Sequence, residues 1–372
     1  MSRAAAPILL AFSVWACALA SGCAAPGDPT PRHPVVPAAV ADLAARQVGG
    51  EIVLAFTLPT RSTDREALAE LPSVEIYRAT LAPGATADRK TPWGLAYTIP
   101  SERVDSYERS NHIEFRDPLA PTALAHSDGF PLTYMVRTRA ARARVSENSN
   151  ILTLRIFPPP EVPGDVRTAV MESAIALSWS EAATPLGATF GGYRIYRATM
   201  ESGQEGATQV ASQAKMKSPS AMAGASTTPE YRDLHFEFGE TYLYTVRSVA
   251  TFGTDLVESA DSAPAMVTPR DIFPPAAPLA LETAIMPATP QGAAYIELSW
   301  AISPEMDLAG YRVYRSDRED ARCELLNTEL LPSPSFRDMS VMPGRRYFYR
   351  VSAVDRAGNE SPTGLAVPAD VP

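Results

Sequence analysis

Gly192-Tyr193-Arg194-Ile195-Tyr196-Arg197 is written a second time in the chain, as Gly310-Tyr311-Arg312-Val313-Tyr314-Arg315. In both, apolar and polar residues alternate, the period-2 pattern of a strand with one buried face. The flanks repeat as well. Upstream, Ile175-Ala176-Leu177-Ser178-Trp179 answers to Ile296-Glu297-Leu298-Ser299-Trp300. Downstream, Tyr231-Arg232-Asp233 answers to Phe336-Arg337-Asp338. Thirteen residues further on in each case, Tyr244-Thr245-Val246 answers to Tyr349-Arg350-Val351. A fainter copy precedes both: Ile52 to Phe56, then Val74-Glu75-Ile76-Tyr77-Arg78, then Phe115-Arg116-Asp117, then Tyr134-Met135-Val136. Self-similarity of this kind marks one structural unit used three times.

Each copy opens on a proline cluster: Pro34 to Pro37, Pro158-Pro159-Pro160 with Pro163, and Pro274-Pro275 with Pro278. Proline makes up 35 of the 372 residues, which argues for strands, edges and linkers over long helices. Strand-rich copies of about 100 residues are β-sandwiches. The pattern resembles the fibronectin type III domain, an immunoglobulin-like sandwich, and implies an all-β chain of three such domains in tandem. By that resemblance Trp179 and Trp300 are the core tryptophan of strand B, and Tyr193 with Ile195 and Tyr311 with Val313 point inward from strand C. Tyr242 and Tyr347 are then the tyrosine corner opening strand F, with the hydroxyl bonded to upstream backbone. The first copy departs, with Phe56 for the tryptophan and Leu132 for the corner tyrosine. Its long connection, residues 60–73, is expected to hold a short helix over 65–71. In the second copy the insertion 199–229, rich in Ser, Ala, Gly and Met, reads as a mobile loop, with a partner-binding arm as the alternative.

Residues 1–22 carry one charge, Arg3, and an apolar run to Ala20 that is too short for a comfortable membrane span. The run ends in Leu19-Ala20-Ser21-Gly22-Cys23. This resembles the lipobox of bacterial lipoproteins, although Ala20 stands where leucine is commonest. The resemblance implies cleavage between Gly22 and Cys23, a diacylglycerol on the Cys23 sulfur and an acyl chain such as palmitate on its new amine. The alternative is an ordinary secretory signal with a chance cysteine. Ala24, where aspartate would favour retention at the inner membrane, implies an outer-membrane lipoprotein. Each buried CH₂ contributes about 0.8 kcal/mol, and more than one chain makes attachment stable. Pro26, Pro29, Pro31, Pro34 and Pro37 then make an extended tether. The expected domains are a signal at 1–22, lipidated cysteine and tether at 23–37, a divergent sandwich at 38–157, and two further sandwiches at 158–270 and 271–372.

Lys+Arg 33 against Asp+Glu 42 gives a net charge of −9, and loss of Arg3 with the signal makes the remainder more negative. Such a body argues against nucleic acid as a partner and stands off an anionic lipid surface. Of three cysteines, Cys17 leaves with the signal and Cys23 takes lipid, so Cys323 has no intrachain partner. Cys323 reads as a half-buried strand residue, with an exposed thiol as the alternative. His33, His112, His126 and His235 show no metal-ligand spacing. There is no Gly-x-Ser-x-Gly elbow, His-Glu-x-x-His or phosphate loop, and no carboxylate pair set in an apolar frame. No catalytic residue and no cofactor is expected. Trp93 stands outside the repeating core and reads as the cover of a domain edge, or as an exposed contact residue.

Two constellations offer binding chemistry. Glu305 and Asp307 precede strand C of the third copy and Asp355 opens its F–G turn. Those loops share one pole of a sandwich, and oxygen ligands gathered there suit calcium. The competing reading is turn chemistry around Gly358-Asn359. Arg137, Arg139, Arg142 and Arg144 alternate near the end of the first copy, and a shared strand face of arginines suits phosphate or an acidic glycan. The competing reading is a solvated face that discourages edge pairing. Together these readings expect a non-catalytic, lipid-anchored envelope protein that presents three sandwiches to a protein or polysaccharide. The alternatives are a passive spacer or assembly subunit of an envelope complex, and an accessory module of a polysaccharide-acting enzyme system.

Overall fold

The computed structural model describes residues 35–372 except 83, 89, 110, 126–128, 142–143, 202–215 and 291. The signal, the Cys23 lipid site and the tether up to residue 34 therefore lie outside the described residues. The chain divides into two compact units, one of residues up to Arg46 with Glu51–Ile156, the other of Gln47–Gly50 with Phe157–Pro372.

In the first unit the strands are β1 (Ala44–Val48), β2 (Glu51–Phe56), β3 (Ser73–Thr80), β4 (Gly94–Ile99), β5 (Glu108–Arg109), β6 (His112–Pro118), β7 (Phe130–Ala141), β8 (Arg144–Val145) and β9 (Leu152–Ile156). One layer runs β1-β2-β6-β5, and the other runs β4-β3-β7 with β8 and β9 both paired to β7. Alternation drives Ile52, Leu54 and Phe56 inward against Val74, Ile76, Tyr134 and Val136, all fully buried. Each such side chain contributes about 1.5–3 kcal/mol.

The helix expected over 65–71 does not form. Arg65 takes φ 66°, the Ser62 N–H donates to the Glu66 carbonyl, and the Leu68 N–H reaches back to Thr60. Bridges Pro37–Ser62 and Arg61–Ala67 pin this loop, so tertiary contacts override the local helix preference. Helical turns lie instead at Ser101–Tyr107, a 3₁₀ segment, and at Pro121–Leu124.

The second unit holds two sandwiches. The strands of the first are β10 (Gly164–Val170), β11 (Ile175–Ser180), β12 (Thr189–Met200), β13 (Ala221–Ser226), β14 (Glu230–Asp233), β15 (Thr241–Phe252), β16 (Asp255–Glu258) and β17 (Ala265–Val267). Those of the second are β18 (Glu282–Met286), β19 (Tyr295–Ser299), β20 (Leu308–Ser316), β21 (Glu324–Leu325), β22 (Ser335–Asp338), β23 (Arg346–Asp355) and β24 (Val367–Asp370). Three-stranded layers β10-β11-β14 and β18-β19-β22 face layers β13-β12-β15 and β21-β20-β23-β24, with β17 closing the former on β15. β16 pairs with the far end of β15. The same wiring occurs in the first unit, so the chain is all-β, with the fibronectin type III-like arrangement used three times.

The core follows the repeat. Trp179 and Trp300 are buried and meet Tyr193 and Tyr311 edge-on, with centroids 5.2 Å apart in both. The corner tyrosines form as expected: the Tyr242 hydroxyl accepts the Glu237 N–H at 2.9 Å, and the Tyr347 hydroxyl accepts the Met342 N–H at 3.2 Å. The glycine that opens the repeated hexapeptide sits at a bulge against β15 or β23. A Cβ on Gly192, at φ +102°, would lie 2.8 Å from the Ser226 carbonyl oxygen, and one on Gly310 would lie 2.7 Å from that of Leu331. The first copy has Ser73 there, and its pairing to β7 runs unbroken from Ser73 to Thr80.

The insertion expected as a loop carries a strand, β13, whose residues pair with Arg197 through Tyr193 of β12. Residues 202–215 of that insertion lie outside the described residues.

Candidate functional site

The residues that spell the repeat form one polar device in each sandwich. Arg78 donates to Asp117 Oδ2 at 2.8 Å, and the Tyr134 hydroxyl donates to the same oxygen at 2.7 Å. Arg197 and Tyr244 meet Asp233 Oδ2 at 2.6 and 2.8 Å. Arg315 and Tyr349 both meet Asp338 Oδ2 at 2.8 Å. Each triad ties the layer carrying the aspartate to the layer carrying the arginine and tyrosine. Burial, and then the neighbouring aspartate, push all three phenols well above their ordinary range. Burial opposes ionisation of Asp338, but donors from Ser340, Tyr349 and Arg315 outweigh it and hold the carboxyl below the usual range.

A second device centres on a glutamate in each copy. Glu258 receives Arg194, Tyr196 and Arg247, Glu360 receives Arg312, Tyr314 and Ser352, and Glu75 receives Arg139 and Tyr77. Burial works against these charges, yet the donors keep all three carboxyls lower than usual. These ionisable groups are thus committed to holding strands together.

The arginine stripe is set out on β7 and β8. Arg139 Nε donates to Glu75 at 2.6 Å. Arg137 donates to Asn148 and lies 5.4 Å over the Tyr77 ring. Arg144 is exposed, and Arg142 lies outside the described residues. At the acidic pole, Asp307 and Asp355 come together with Asp271, their ligand-type oxygens within 4.8 Å of one another. Glu305 is not a member of this group; it accepts the Ala276 N–H at 2.8 Å. Asp355 accepts both the backbone N–H and the side-chain amide of Asn359 at 2.8 Å, the turn chemistry that competed with calcium. Cys323 is half-buried, with Arg350 Nη1 3.3 Å from its sulfur. Trp93 is half-buried.

One site was not found from the sequence. A cavity of about 440 Å³ opens at the end of the second sandwich, between the β12 end and the β14–β15 turn. Its wall includes Arg197, Lys217, Ser218, His235, Glu237 and Glu240. Arg197 is fixed by Asp233 and by the Tyr242 ring, 5.2 Å from its guanidinium carbon. Lys217 pairs with Glu240 at 2.8 and 3.0 Å, and this contact raises the lysine above its ordinary range. Lys217 was hidden because it stands in the insertion read as a loop. The available signal was the turn after Asp233, His235-Phe236-Glu237-Phe238-Gly239-Glu240. The matching turn after Asp338 reads Ser340-Val341-Met342-Pro343-Gly344-Arg345.

No protein-family model matches the chain. Exoglucanase B of Cellulomonas fimi is 28% identical over 214 residues, which make up 56% of this chain and 16% of that protein. The chain therefore spans only 16% of that relative's length. Among solved structures, the crystal structure of the chicken CNTN1 FN1–FN3 domains is 14% identical. That likeness covers 90% of this chain and 99% of that one, with a TM-score of 0.25.

Proposed function

We propose that the chain is a non-catalytic polysaccharide-binding module of the cell envelope, held by lipid on Cys23 and set off the membrane by its proline-rich tether. The observation that carries the reading is the threefold repetition of the aspartate-centred triad. Its buried aspartate stands at a matching position in all three sandwiches and braces the two layers, and bracing is what display domains need. The likeness to part of an exoglucanase supports a polysaccharide as the partner over a protein. The net charge of −9 supports a body that stands away from anionic lipid.

Two measurements test it. Cys23→Ser expressed in a Gram-negative host should move the protein from the outer-membrane fraction to the soluble one; unchanged fractionation would remove the anchor. The purified chain should be retained on an insoluble neutral glucan without releasing reducing sugar. Passage through that column, or release of sugar, would overturn the binding reading.

A spacer in an envelope assembly is favoured by one observation, the engaged linker between the second and third sandwiches. The Asn359 side chain donates to the Asp271 carbonyl at 3.3 Å, and Phe273 packs near Phe238. A spacer would copurify from detergent extracts with neighbours in fixed ratio, whether or not glucan is present.

A further inference from the structure

The second and third sandwiches share the backbone of one turn and differ in what they hang on it. The N–H groups of His235 and Ser340 both donate at 2.9 Å, to Asp233 and Asp338 respectively. The N–H groups of Glu237 and Met342 both cap a corner tyrosine. On this shared frame His235, Glu237 and Glu240 replace Ser340, Met342 and Arg345. In the third sandwich the Arg315 guanidinium is closed over by Glu324 at 3.3 Å and by the Ser340 hydroxyl at 2.9 Å. In the second, Arg197 donates to the His235 carbonyl and lines the cavity.

We infer that this cavity binds uncharged saccharide units and is the contact through which the proposed binding module engages its polysaccharide; the inference rests on that reading. Charge decides against an anionic ligand. Asp233 neutralises Arg197 and Glu240 neutralises Lys217, so an incoming anion finds no unpaired cation on this wall and meets the Glu237 carboxylate. The carboxylates of Asp233 and Glu240 are engaged in the same pairs, so a cation is offered Glu237 alone. A neutral polyol needs no unpaired charge and finds both donors and acceptors for its hydroxyls.

The wall is also set before a ligand arrives. Arg197 is held by Asp233, the Ser218 hydroxyl accepts the Thr199 N–H at 3.1 Å, and the Lys217 N–H is bound to the Thr199 carbonyl at 2.8 Å. Little ordering of Arg197 and Ser218 is then required on binding.

Calorimetric titration of the full chain with neutral tetrasaccharides (cellotetraose, xylotetraose and maltotetraose) tests this, with tetragalacturonate and a chitosan tetramer as charged probes. At least one neutral probe should bind. Lys217→Ala and Glu237→Ala, both at exposed positions, should each weaken it roughly tenfold, as expected for a lost hydrogen bond to a charged group. Glu297→Ala, on the third sandwich, should leave it unchanged. The inference is overturned if no neutral probe binds, if a charged probe binds more tightly, or if both cavity variants bind as the native chain does. Retention on insoluble glucan separates the two levels. Variants retained like the native chain remove the cavity alone, whereas a native chain that is not retained removes the binding reading.

Discussion

Asp338 is 3% exposed and its carboxylate accepts from Arg315, from the Tyr349 hydroxyl and from Ser340. Tyr349→Phe deletes one hydrogen bond to a buried charge and should cost about 1.5–3 kcal/mol. Asp338→Ala strands the guanidinium and the phenol together and should cost more, about 3–5 kcal/mol. Amide hydrogen exchange along β23 reads both, and equal effects would refute the triad as a brace. The same groups set the pH response. Asp338, Glu258 and Glu360 are held below their ordinary carboxyl range, so their stabilisation is present above the unfolded values and is lost as pH falls through the folded ones. Tyr134, Tyr244 and Tyr349 are raised. Their neutral form is favoured by the fold, so stability should be full below pH 10, the ordinary phenol value, and fall as pH rises above it. Denaturant melts across pH should show loss on both sides, and the triple Tyr→Phe variant should lose most of the alkaline arm and weaken the acid one, because Tyr349 is among the donors that hold Asp338 down. These triads were visible in the sequence as repeated letters, but not as contacts. Arg197, Asp233 and Tyr244 are distant along the chain; the pairing of β12 with β15 sets Arg197 beside Tyr244, and packing of the layer that holds β14 against them brings in Asp233.

Strands with inward branched and aromatic residues were legible because alternation at period 2 survives any context. Ile175, Leu177 and Trp179 are buried in the order the pattern gave. β13 was not, since Ala221-Met222-Ala223-Gly224-Ala225-Ser226 has neither alternation nor β-branched residues. It is extended because the edge of β12 offers it a ladder of hydrogen bonds. Residues 65–71 failed in the opposite direction, with helix-forming side chains overruled by bridges to the preceding segment. The repeated glycine gives a test at this scale. Gly192→Ala forces a Cβ into the Ser226 carbonyl at a positive φ and should cost about 1–3 kcal/mol. Gly164→Ala, with nothing within 4 Å, should be close to neutral. If thermal melts show the two substitutions to be alike, the bulge is not what the glycine serves.

Three tandem units were legible because the proline clusters punctuate the repeat, yet the same prolines concealed how the last two units meet. Asp271-Ile272-Phe273-Pro274-Pro275 reads as a plain spacer. In the folded chain it is engaged from both sides. Phe273 lies 6.4 Å from Phe238 and lines an apolar groove with Met171 and Leu234 of the second sandwich. Asp271 and Ala276 bond to Asn359 and Glu305 of the third. A linker held at both ends transmits stability, because unfolding either sandwich strips contacts from the segment that serves the other. Phe273→Ala removes the apolar half of this joint. At partial burial that half should be worth about 1–2 kcal/mol of coupling. Calorimetry of the native chain should show the second and third sandwiches melting in one transition, and Phe273→Ala should split it in two while leaving the melt of the first unit in place. A native chain in which these sandwiches already melt separately would show that the linker only connects them, and the spacer reading would lose the observation that favours it.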